Sequence, residues 1–396
     1  MAFKWRWWRR GHQLDQQQID KDFAKFRQIT PVPCLWLFGK TGSGKTSVIH
    51  FLTGAEDAVI GEGFRPETKT SRRFDFPDST DPLLRFLDTR GLAEASYDPT
   101  DDIQQFSQST QMVIVTVRVI DHALSNLLPP LREIRRASPE LPILLVLTCL
   151  HEATGRVDLS DGPDPFLNTT ADATANAADT TAAVLPSALS DLIAQKRNQF
   201  EGLYDVLIPI DLTPLEDGFA DPEFGGERLK KAILEKLPHA YRQALLALNQ
   251  ADGRQLSKLQ RRSRWQVLTS SALAGTAGVV PLPWLDIPAV LSIQAHMATR
   301  IAAIYEQEIT PARWALLSSA AGTRVAIQLA LREALKIIPF LGMAVGAASA
   351  FAFTYALGMS WDWYFASLQK GRVPSEADLR EVFSKQLARG HALWRA

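Results

Sequence analysis

The residues with the clearest chemistry form a glycine-rich run between an apolar segment and a helix-like segment. The run fits the phosphate-binding pattern G-x-x-x-x-G-K-[ST], in the strand–loop–helix context that this pattern requires. Glycines let backbone N–H groups turn toward phosphate oxygens, and the helix N-terminus adds a positive field. We expect Lys45 to reach the β- and γ-phosphates and the Thr46 hydroxyl to bind Mg²⁺. The predicted binding residues are Gly39, Lys40, Thr41, Gly42, Ser43, Gly44, Lys45, Thr46 and Ser47.

A second motif, Asp88-Thr89-Arg90-Gly91, follows the apolar residues 83–87. A carboxylate at a strand end can hold Mg²⁺ through water, and the Gly91 N–H can contact the γ-phosphate. The motif is short, but its place behind a strand and after Lys45 makes it informative. It predicts Asp88 as a metal ligand and assigns catalytic roles to Lys45, Asp88 and Gly91.

The polar loop at residues 61–77 lies between these two motifs. A threonine in such a loop can close over Mg²⁺ and the γ-phosphate and release them after hydrolysis. Thr68 is our first candidate for this metal-binding and catalytic role, and Thr70 is the second.

The elements that would position these residues alternate along the chain. Strand-like runs cover residues 33–38, 72–76, 83–87, 112–119, 143–148 and 206–210. Helical patterns cover residues 45–53, 103–109, 125–136, 189–204 and 227–237. Several of the strand-like runs are continuously apolar, as strands buried on both faces are. The alternation predicts an α/β domain with a mainly parallel sheet and helices on both faces.

The rest of the chain divides by composition. Residues 161–187 contain no Lys or Arg and are rich in Thr, Ala and Asp, which predicts a flexible insertion at about 155–187. Beyond Pro238 no strand pattern returns, so the second domain should be all helical. We expect an N-terminal extension at 1–30, the α/β domain at 31–239, a basic linker helix at 240–265, a helical domain at 266–370 and a C-terminal tail at 371–396.

The motifs resemble those of the translation-factor-related class of P-loop GTPases, in particular the Era-like and septin-like branches. The resemblance rests on residues 39–46, Thr68 and residues 88–91, and it covers roughly residues 32–237. It implies GTP binding, Mg²⁺ dependence and a two-state switch. The C-terminal part, with Pro281, Asp286 and Gln294 among its matching residues, resembles a bacterial helical domain of unknown function that is often attached to such GTPases.

Two positions depart from that resemblance. The guanine-reading motif is usually Asn or Thr, Lys, any residue and Asp, but here the matching place is Thr148-Cys149-Leu150-His151-Glu152. Thr148 and His151, or Glu152 in place of His151, are the candidates for meeting the base, with help from Asp211 after the last strand. Guanine selectivity is therefore open.

The other departure concerns the position after Gly91, where many GTPases have a water-orienting glutamine and this chain has Leu92. Leucine cannot orient water, so we expect slow hydrolysis. A cation such as Arg72, Arg73 or Arg90 can stabilise the charge that develops during hydrolysis. It can act within one chain or across a homodimer formed through the α/β domain or the helical domain.

Several features bear on location. Basic residues alternate with Trp5, Trp7 and Trp8 in residues 1–10, a composition that suits a membrane headgroup layer as well as a solvated tail. Residues 267–285 and 337–359 carry no charge, so the helical domain is expected to insert as a hairpin, dock on a membrane surface, or form an ordinary buried core. Cys34 and Cys149 lie in apolar runs, and the N-terminus lacks a secretory signal, which favours the cytoplasm and the inner face of a bacterial plasma membrane.

The chain has 43 basic and 43 acidic residues, so its net charge indicates no general attraction to nucleic acid. The leading hypothesis is a Mg²⁺-dependent GTP hydrolase that acts slowly as a switch at the cytoplasmic face of a membrane. The alternatives are a nucleotide-dependent scaffold that barely hydrolyses, and an ATPase with relaxed base specificity.

Overall fold

The computed structural model describes most of the chain. The described residues are 16–30, 32–55, 65–66, 71–89, 110–155, 157–166, 185–252, 256–277, 286–310, 313–314, 316–317 and 341–395. Several predicted features lie outside them: Thr68, Thr70, Arg90, Gly91, Leu92, the helix at 103–109, residues 1–10 and most of the insertion. These features stay predictions.

The chain divides into two units, one of residues 32–237 and one that joins residues 1–31 to residues 238–396. In chain order the first unit contains β1 (Cys34–Phe38), α2 (Lys45–Thr53), β2 (Arg65–Pro66), β3 (Ser71–Phe76), β4 (Leu84–Thr89), β5 (Thr110–Arg118), α3 (Leu128–Ala137), β6 (Ile143–Thr148), α4 (His151–Thr154), α5 (Ser187–Gln199), β7 (Val206–Pro209) and α6 (Gly226–Lys236). The second unit contains α1 (Gln16–Ile29), α7 (His239–Asp252), α8 (Lys258–Ala277), α9 (Asp286–Ile304), α10 (Leu341–Gln369) and α11 (Glu376–Arg395).

The strands of the first unit form one sheet in the order β2-β3-β4-β1-β5-β6-β7 within the described residues. The strands β4, β1, β5, β6 and β7 run parallel, whereas β3 is antiparallel to β4 and β2 is antiparallel to β3. The predicted α/β fold with a mainly parallel sheet is confirmed. Because parallel strands end at the same edge of a sheet, the loops after β1, β4, β5, β6 and β7 come together there.

The sheet is covered on both faces, which explains the apolar runs in the sequence. Every residue of β1 is buried. Trp36 and Phe38 pack in one cluster with side chains of α3 and α5, such as Leu131 and Leu189. Leu35 and Leu37 alternate with them and are buried on the opposite face. Burial of both faces requires continuous rather than alternating hydrophobicity.

One predicted strand boundary is wrong in a way that matters for the site. We expect the strand over residues 83–87 to end at Leu87, with Asp88 in the following turn, but the observed strand β4 continues to Thr89. The cause is β3, which pairs antiparallel with β4 and places Arg72 opposite Asp88 and Ser71 opposite Thr89. Asp88 is therefore held inside the sheet rather than at the start of a loop.

The second unit is helical, and three of its segments differ from expectation. The single linker helix expected at 240–265 is two helices, α7 and α8, and the basic residues lie at the start of α8. The expected C-terminal tail contains the helix α11, which buries Leu379 and Phe383 and packs against α10. These apolar positions are four residues apart on one helix face, a spacing that marks a packed helix.

The N-terminal helix α1 is also part of this unit rather than a separate extension. It packs against α9. Ile19 and Phe23, one turn apart, are buried, and the ring of Phe23 stacks on that of His296 with centroids 4.0 Å apart. Asp20 lies 3.1 Å from Nδ1 of the same histidine.

Residues 341–359 of the uncharged stretch 337–359 belong to α10, which packs against α8, α9 and α11. Small residues allow this close packing: a Cβ added to Gly358 would lie 2.7 Å from Val267, and one added to Gly390 would lie 2.8 Å from Ala352. Among the described residues, no helix is both long enough and apolar enough to cross a bilayer.

Candidate functional site

The loop from Gly39 to Gly44 joins the end of β1 to the first turn of α2. Gly44 has a left-handed backbone with φ of 90° and precedes the first helical residue, Lys45. Gly39 lies so close to β5 that an added Cβ would fall 2.4 Å from the Thr116 hydroxyl and 2.5 Å from the Thr116 carbonyl oxygen. The glycines therefore permit a tight loop that leads into the N-terminus of α2, the arrangement that binds phosphate oxygens.

The Lys45 side chain folds back over this loop. Its Nζ donates to the carbonyl oxygens of Gly39 at 2.7 Å and Lys40 at 2.8 Å. The same Nζ lies 3.7 Å from Oδ1 of Asp88. The ammonium is thereby fixed at the place where the β- and γ-phosphates of a nucleotide on this loop would bind.

Asp88 reaches this position because β1 and β4 are adjacent and parallel, with Leu37 opposite Asp88. Its Oδ1 is buried and accepts no hydrogen bond. A buried carboxylate oxygen without a donor carries a desolvation cost, and a cation or its water shell would offset that cost. Asp88 thus fits the predicted role of holding Mg²⁺, together with the Thr46 hydroxyl one residue after Lys45.

The pKa shifts of Lys45 and Asp88 also favour a ligand that carries both a metal cation and phosphate. Burial lowers the pKa of Lys45, and the charge of Asp88 opposes this shift. Burial raises the pKa of Asp88, and the nearby Lys45 and Arg72 oppose that shift. Neither charge is fully compensated by the other. A magnesium–triphosphate group brings both signs of charge to the site and would stabilise both ionised side chains.

No cluster of three or more His, Cys, Asp or Glu side chains suited to a metal occurs within the described residues. A site with one carboxylate and one hydroxyl is nevertheless what Mg²⁺ needs, because this ion keeps several waters and takes its remaining ligands from phosphate.

The loop is anchored to the neighbouring strand ends by hydroxyl groups. The Ser43 hydroxyl lies 2.6 Å from that of Thr116 on β5. The Thr148 hydroxyl at the end of β6 donates to the Ser43 carbonyl at 3.1 Å. Ser43 and Thr148, both predicted to bind nucleotide, therefore hold the loop in shape, and Thr148 also lines the adjoining cavity.

Lys40 points away from Lys45. Its Nζ pairs with the carboxylate of Asp121, which follows β5, at 2.8 Å. The ammonium of Lys196 on α5 is buried and donates to the backbone carbonyl of Asp121. Partial burial tends to raise the pKa of Asp121, but hydrogen bonds from Lys40 and from the Ala123 N–H outweigh it and lower that pKa. The Lys40 side chain thus braces the loop, and only its backbone remains available to a nucleotide.

A partly open cavity lies beside the first turn of α2. Its lining residues are Gly44, Ser47, Thr148, Cys149, Ile210, Leu212 and Thr213. They come from the loop, from the end of β6 and from the segment after β7, which is the edge of a parallel sheet where ligands bind. Cys149 has a left-handed backbone with φ of 55°. The position suits a purine base and ribose attached to phosphates on the loop.

Asp211 does not lie free in this cavity, although we expected it to help read the base. Its side chain is 1 % exposed, and Oδ2 accepts hydrogen bonds from the His151 N–H at 2.8 Å and from His151 Nδ1 at 2.7 Å. Oδ1 accepts from the Thr213 N–H at 3.1 Å. Asp211 is therefore a positioning residue for His151, whose side chain is 22 % exposed.

This contact fixes the chemistry that His151 presents. A carboxylate can only accept hydrogen bonds, so Nδ1 of His151 must carry the proton. In the neutral ring Nε2 is then an acceptor, and it can meet an N–H donor of guanine. Glu152, the other candidate for the base, pairs instead with Arg118 at the end of β5, with Nε–Oε2 at 3.2 Å.

Comparison with known proteins bears on the first unit. Residues 35–149 match the family model described as 50S ribosome-binding GTPase. This match supports a P-loop GTPase family. The matched segment contains the phosphate-binding loop, Asp88 and the start of the base-reading segment, but it covers less than a third of the chain. No curated protein matches the chain. A GTPase domain implies GTP binding, GTP hydrolysis in general and usually Mg²⁺.

The structure adds residues to the GTPase domain that the sequence did not indicate. Thr116 and Asp121 could have been suspected, because both lie near the end of an apolar strand where ligand sites form. Lys196 carried no signal, since one lysine in a helical pattern is normally a surface charge. Its role depends on which loop the helix α5 covers.

We predict that Lys45→Ala lowers the affinity for GTP and for ATP by about a hundredfold or more. It removes a charged hydrogen-bond donor worth about 3 kcal/mol. Lys231→Ala, at an exposed position of α6, is the control and should leave the affinity unchanged. Equilibrium binding of a fluorescent GTP analogue, with circular dichroism to check folding, would measure both. Unchanged affinity in Lys45→Ala would exclude the phosphate-loop assignment.

We predict that Asp88→Asn raises the Mg²⁺ concentration needed for half-maximal GTP binding by about tenfold and stops hydrolysis. The amide keeps the shape of the side chain but removes the charge, which is worth about 1.5–3 kcal/mol in such contacts. Asp78→Asn, a change in the β3–β4 turn, should behave like the wild type. Turnover and binding titrated against Mg²⁺ provide the measurement, and normal turnover at limiting Mg²⁺ would refute the role of Asp88.

We predict that GTP is preferred over ATP by less than about a thousandfold, because one imidazole acceptor discriminates less than a charged aspartate. Asp211→Asn should lower this preference by a further five- to tenfold, the effect of about one hydrogen bond. Phosphate affinity should be retained. Asp217→Asn, at an exposed position in the same loop, is the control. Competition binding with both nucleotides tests this, and an unchanged preference in Asp211→Asn would show that another group reads the base.

Proposed function

We propose that this protein is a GTP-dependent switch that hydrolyses GTP slowly, requires Mg²⁺ and acts at the cytoplasmic face of a membrane. The observation that carries the proposal is the contact between Lys45 and Asp88 at the glycine loop. A lysine fixed over loop carbonyls, 3.7 Å from a buried carboxylate oxygen, suits a magnesium–triphosphate group. Within this proposal GTP and Mg²⁺ are the ligands.

The chemistry asked of the residues is positioning and charge stabilisation. The loop N–H groups and Lys45 would hold the β- and γ-phosphates. Asp88 and Thr46 would hold Mg²⁺, which would supply charge neutralisation at the phosphate oxygens. Thr68 and Gly91 complete the site in our proposal, with Thr68 closing over the metal and Gly91 contacting the γ-phosphate.

Slow turnover follows from the position after Gly91. Leu92 offers no hydrogen-bonding group for the attacking water, so intrinsic hydrolysis depends on positioning alone. A cation would raise the rate, whether it comes from the same chain or from the partner in a homodimer. Arg72, which lies opposite Asp88 in the β3–β4 pair, is a candidate among the described residues.

A second candidate function, an ATPase with relaxed base specificity, is favoured by one observation. His151, which Asp211 holds, occupies the position where the GTPases that this chain resembles have an aspartate. A histidine is less able to reject adenine. The proposed preference for GTP rests on Nε2 as an acceptor for the guanine N–H groups.

The membrane part of the proposal rests on composition and charge. Residues 1–10 combine three tryptophans with four basic residues, and further basic residues begin α8. Such segments bind anionic lipid. The finer family placement, Era-like or septin-like with a C-terminal helical domain of unknown function, is part of the same proposal.

We predict that the purified protein hydrolyses GTP at about 10⁻⁴ to 10⁻² s⁻¹, the range of GTPases without a partner-supplied group. The enzyme median is about 10 s⁻¹. Single-turnover hydrolysis with radiolabelled GTP would measure the rate, and Lys45→Ala provides the background. A rate near 1 s⁻¹ would show that the chain supplies its own water-orienting group, whereas a rate that rises with protein concentration would indicate a group donated across a dimer.

A further inference from the structure

The helices of the second unit have fixed directions, which bring several chain segments to one end. Residues Gly275 of α8 and Phe351 of α10 are in contact, as are Val267 and Gly358, so α8 and α10 run antiparallel. On α9, Gln294 donates to Thr354 at 3.2 Å. Farther along, Tyr305 donates to Asp362 at 2.6 Å. The helices α9 and α10 are therefore parallel, and the start of α8 lies at the same end as the end of α10.

The N-terminal helix begins at that end as well. Asp20 lies beside His296, and Phe23 joins a cluster with Val290 and Ile293, so α1 runs antiparallel to α9. Its first residue, Gln16, is thus near the end of α9. Residues 1–10 are joined to Gln16 by five residues, which span at most about 17 Å.

We name this surface the basic end and define it by Lys258, Arg261, Arg262, Lys370, Arg372 and Val373. Lys258, Arg261 and Arg262 occupy the first turns of α8, are exposed, and take part in no ion pair within the described residues. The first turn of α8 contains no acidic residue. Cations at a helix N-terminus are opposed by the helix dipole. Three cations there, without acidic partners, add nothing to the stability of the helix and are available to an external anion.

The loop between α10 and α11 adds apolar surface to these charges. Val373 is 76 % exposed, the highest value among the large apolar residues described as exposed. It follows the exposed Lys370 and Arg372, and the guanidinium of Arg372 lies over the ring of Trp363, 6.0 Å from its centroid. A protruding valine flanked by cations and an indole fits the boundary between headgroups and acyl chains.

Acidic residues at this end limit the charge. Asp378 pairs with Arg372, and the exposed Glu306 and Glu308 follow α9. The surplus of positive charge among the described residues of this end therefore comes from the start of α8 and from Lys370. Contacts of this kind are electrostatic and strengthen with the number of basic residues near an anionic surface.

We propose that the basic end docks on an anionic lipid bilayer, with the first turns of α8 against the headgroups and Val373 at the interface. The proposal specifies the membrane contact of the proposed function and does not depend on nucleotide hydrolysis. Charge complementarity and the protruding valine favour lipid as the occupant.

Co-sedimentation with vesicles tests the docking. The full-length protein should bind vesicles of phosphatidylcholine with 30 % phosphatidylglycerol and should not bind phosphatidylcholine alone. The test variant combines Lys258→Glu, Arg261→Glu and Arg262→Glu, and we expect it to bind at least tenfold more weakly. The control variant reverses three exposed cations of the GTPase domain, Arg132→Glu, Arg136→Glu and Lys231→Glu, so it has the same net charge and should bind as the wild type.

Two further measurements make the result specific. Val373→Asp should weaken binding several-fold without touching the helix core, and raising the salt concentration should weaken the wild type more than the triple α8 variant. GTP affinity of every variant should stay at the wild-type value, which separates this proposal from the nucleotide site.

The proposal fails if the α8 variant binds as tightly as the control variant. It also fails if replacing Trp5, Trp7 and Trp8 by alanine removes all binding while the α8 variant retains it, because residues 1–10 would then act alone. If vesicle binding fails while GTP hydrolysis is measured, only this inference and the membrane location are lost. If GTP binding fails and docking persists, the nucleotide function is lost and the docking stands.

Discussion

The contact between Lys45 and Asp88 depends on the pairing of two parallel strands, and the rest of the site is arranged around it. The strand β1 delivers the glycine loop, β4 delivers the carboxylate, and their register places Leu37 beside Asp88. An ammonium and a carboxylate 3.7 Å apart, both largely buried, carry desolvation costs that their mutual attraction does not remove. A ligand with both a metal cation and phosphate anions resolves that imbalance. The geometry is therefore suited to binding magnesium and triphosphate together.

The supporting residues show how a short loop can be held without a large core of its own. Thr116, Thr148 and Asp121 lie at or near the ends of β5 and β6. Thr116 and Thr148 both contact Ser43, and Asp121 pairs with Lys40. Lys196 adds a buried donor behind Asp121. Because every brace lies at the same sheet edge, a shift of one strand would disturb the phosphate loop and the cavity beside it together. A similar contact lies after the neighbouring strands, where Asp211 after β7 fixes His151 after β6.

The helical unit is held together by close packing of its helices. Its helices contain many alanines and glycines, which provide little apolar area each but allow close approach of backbones. The same composition explains why residues 337–359 resemble a membrane-spanning stretch in sequence. The described part of that stretch lies in α10, which packs against α8, α9 and α11. Among the described residues, the buried Asp362 accepts a hydrogen bond from Tyr305.

The sequence by itself determined the phosphate loop, the order of strands and helices, and the change to an all-helical second part, because these depend on local patterns of glycine and hydrophobicity. It also indicated Asp88 and the unusual His151. Only the tertiary structure decided that Asp88 lies within β4, that Lys40 braces the loop, that Asp211 serves His151, and that α1 joins the C-terminal helices. Each of these depends on contacts between residues far apart in the chain. No local pattern records such contacts, since they arise from strand register and helix packing.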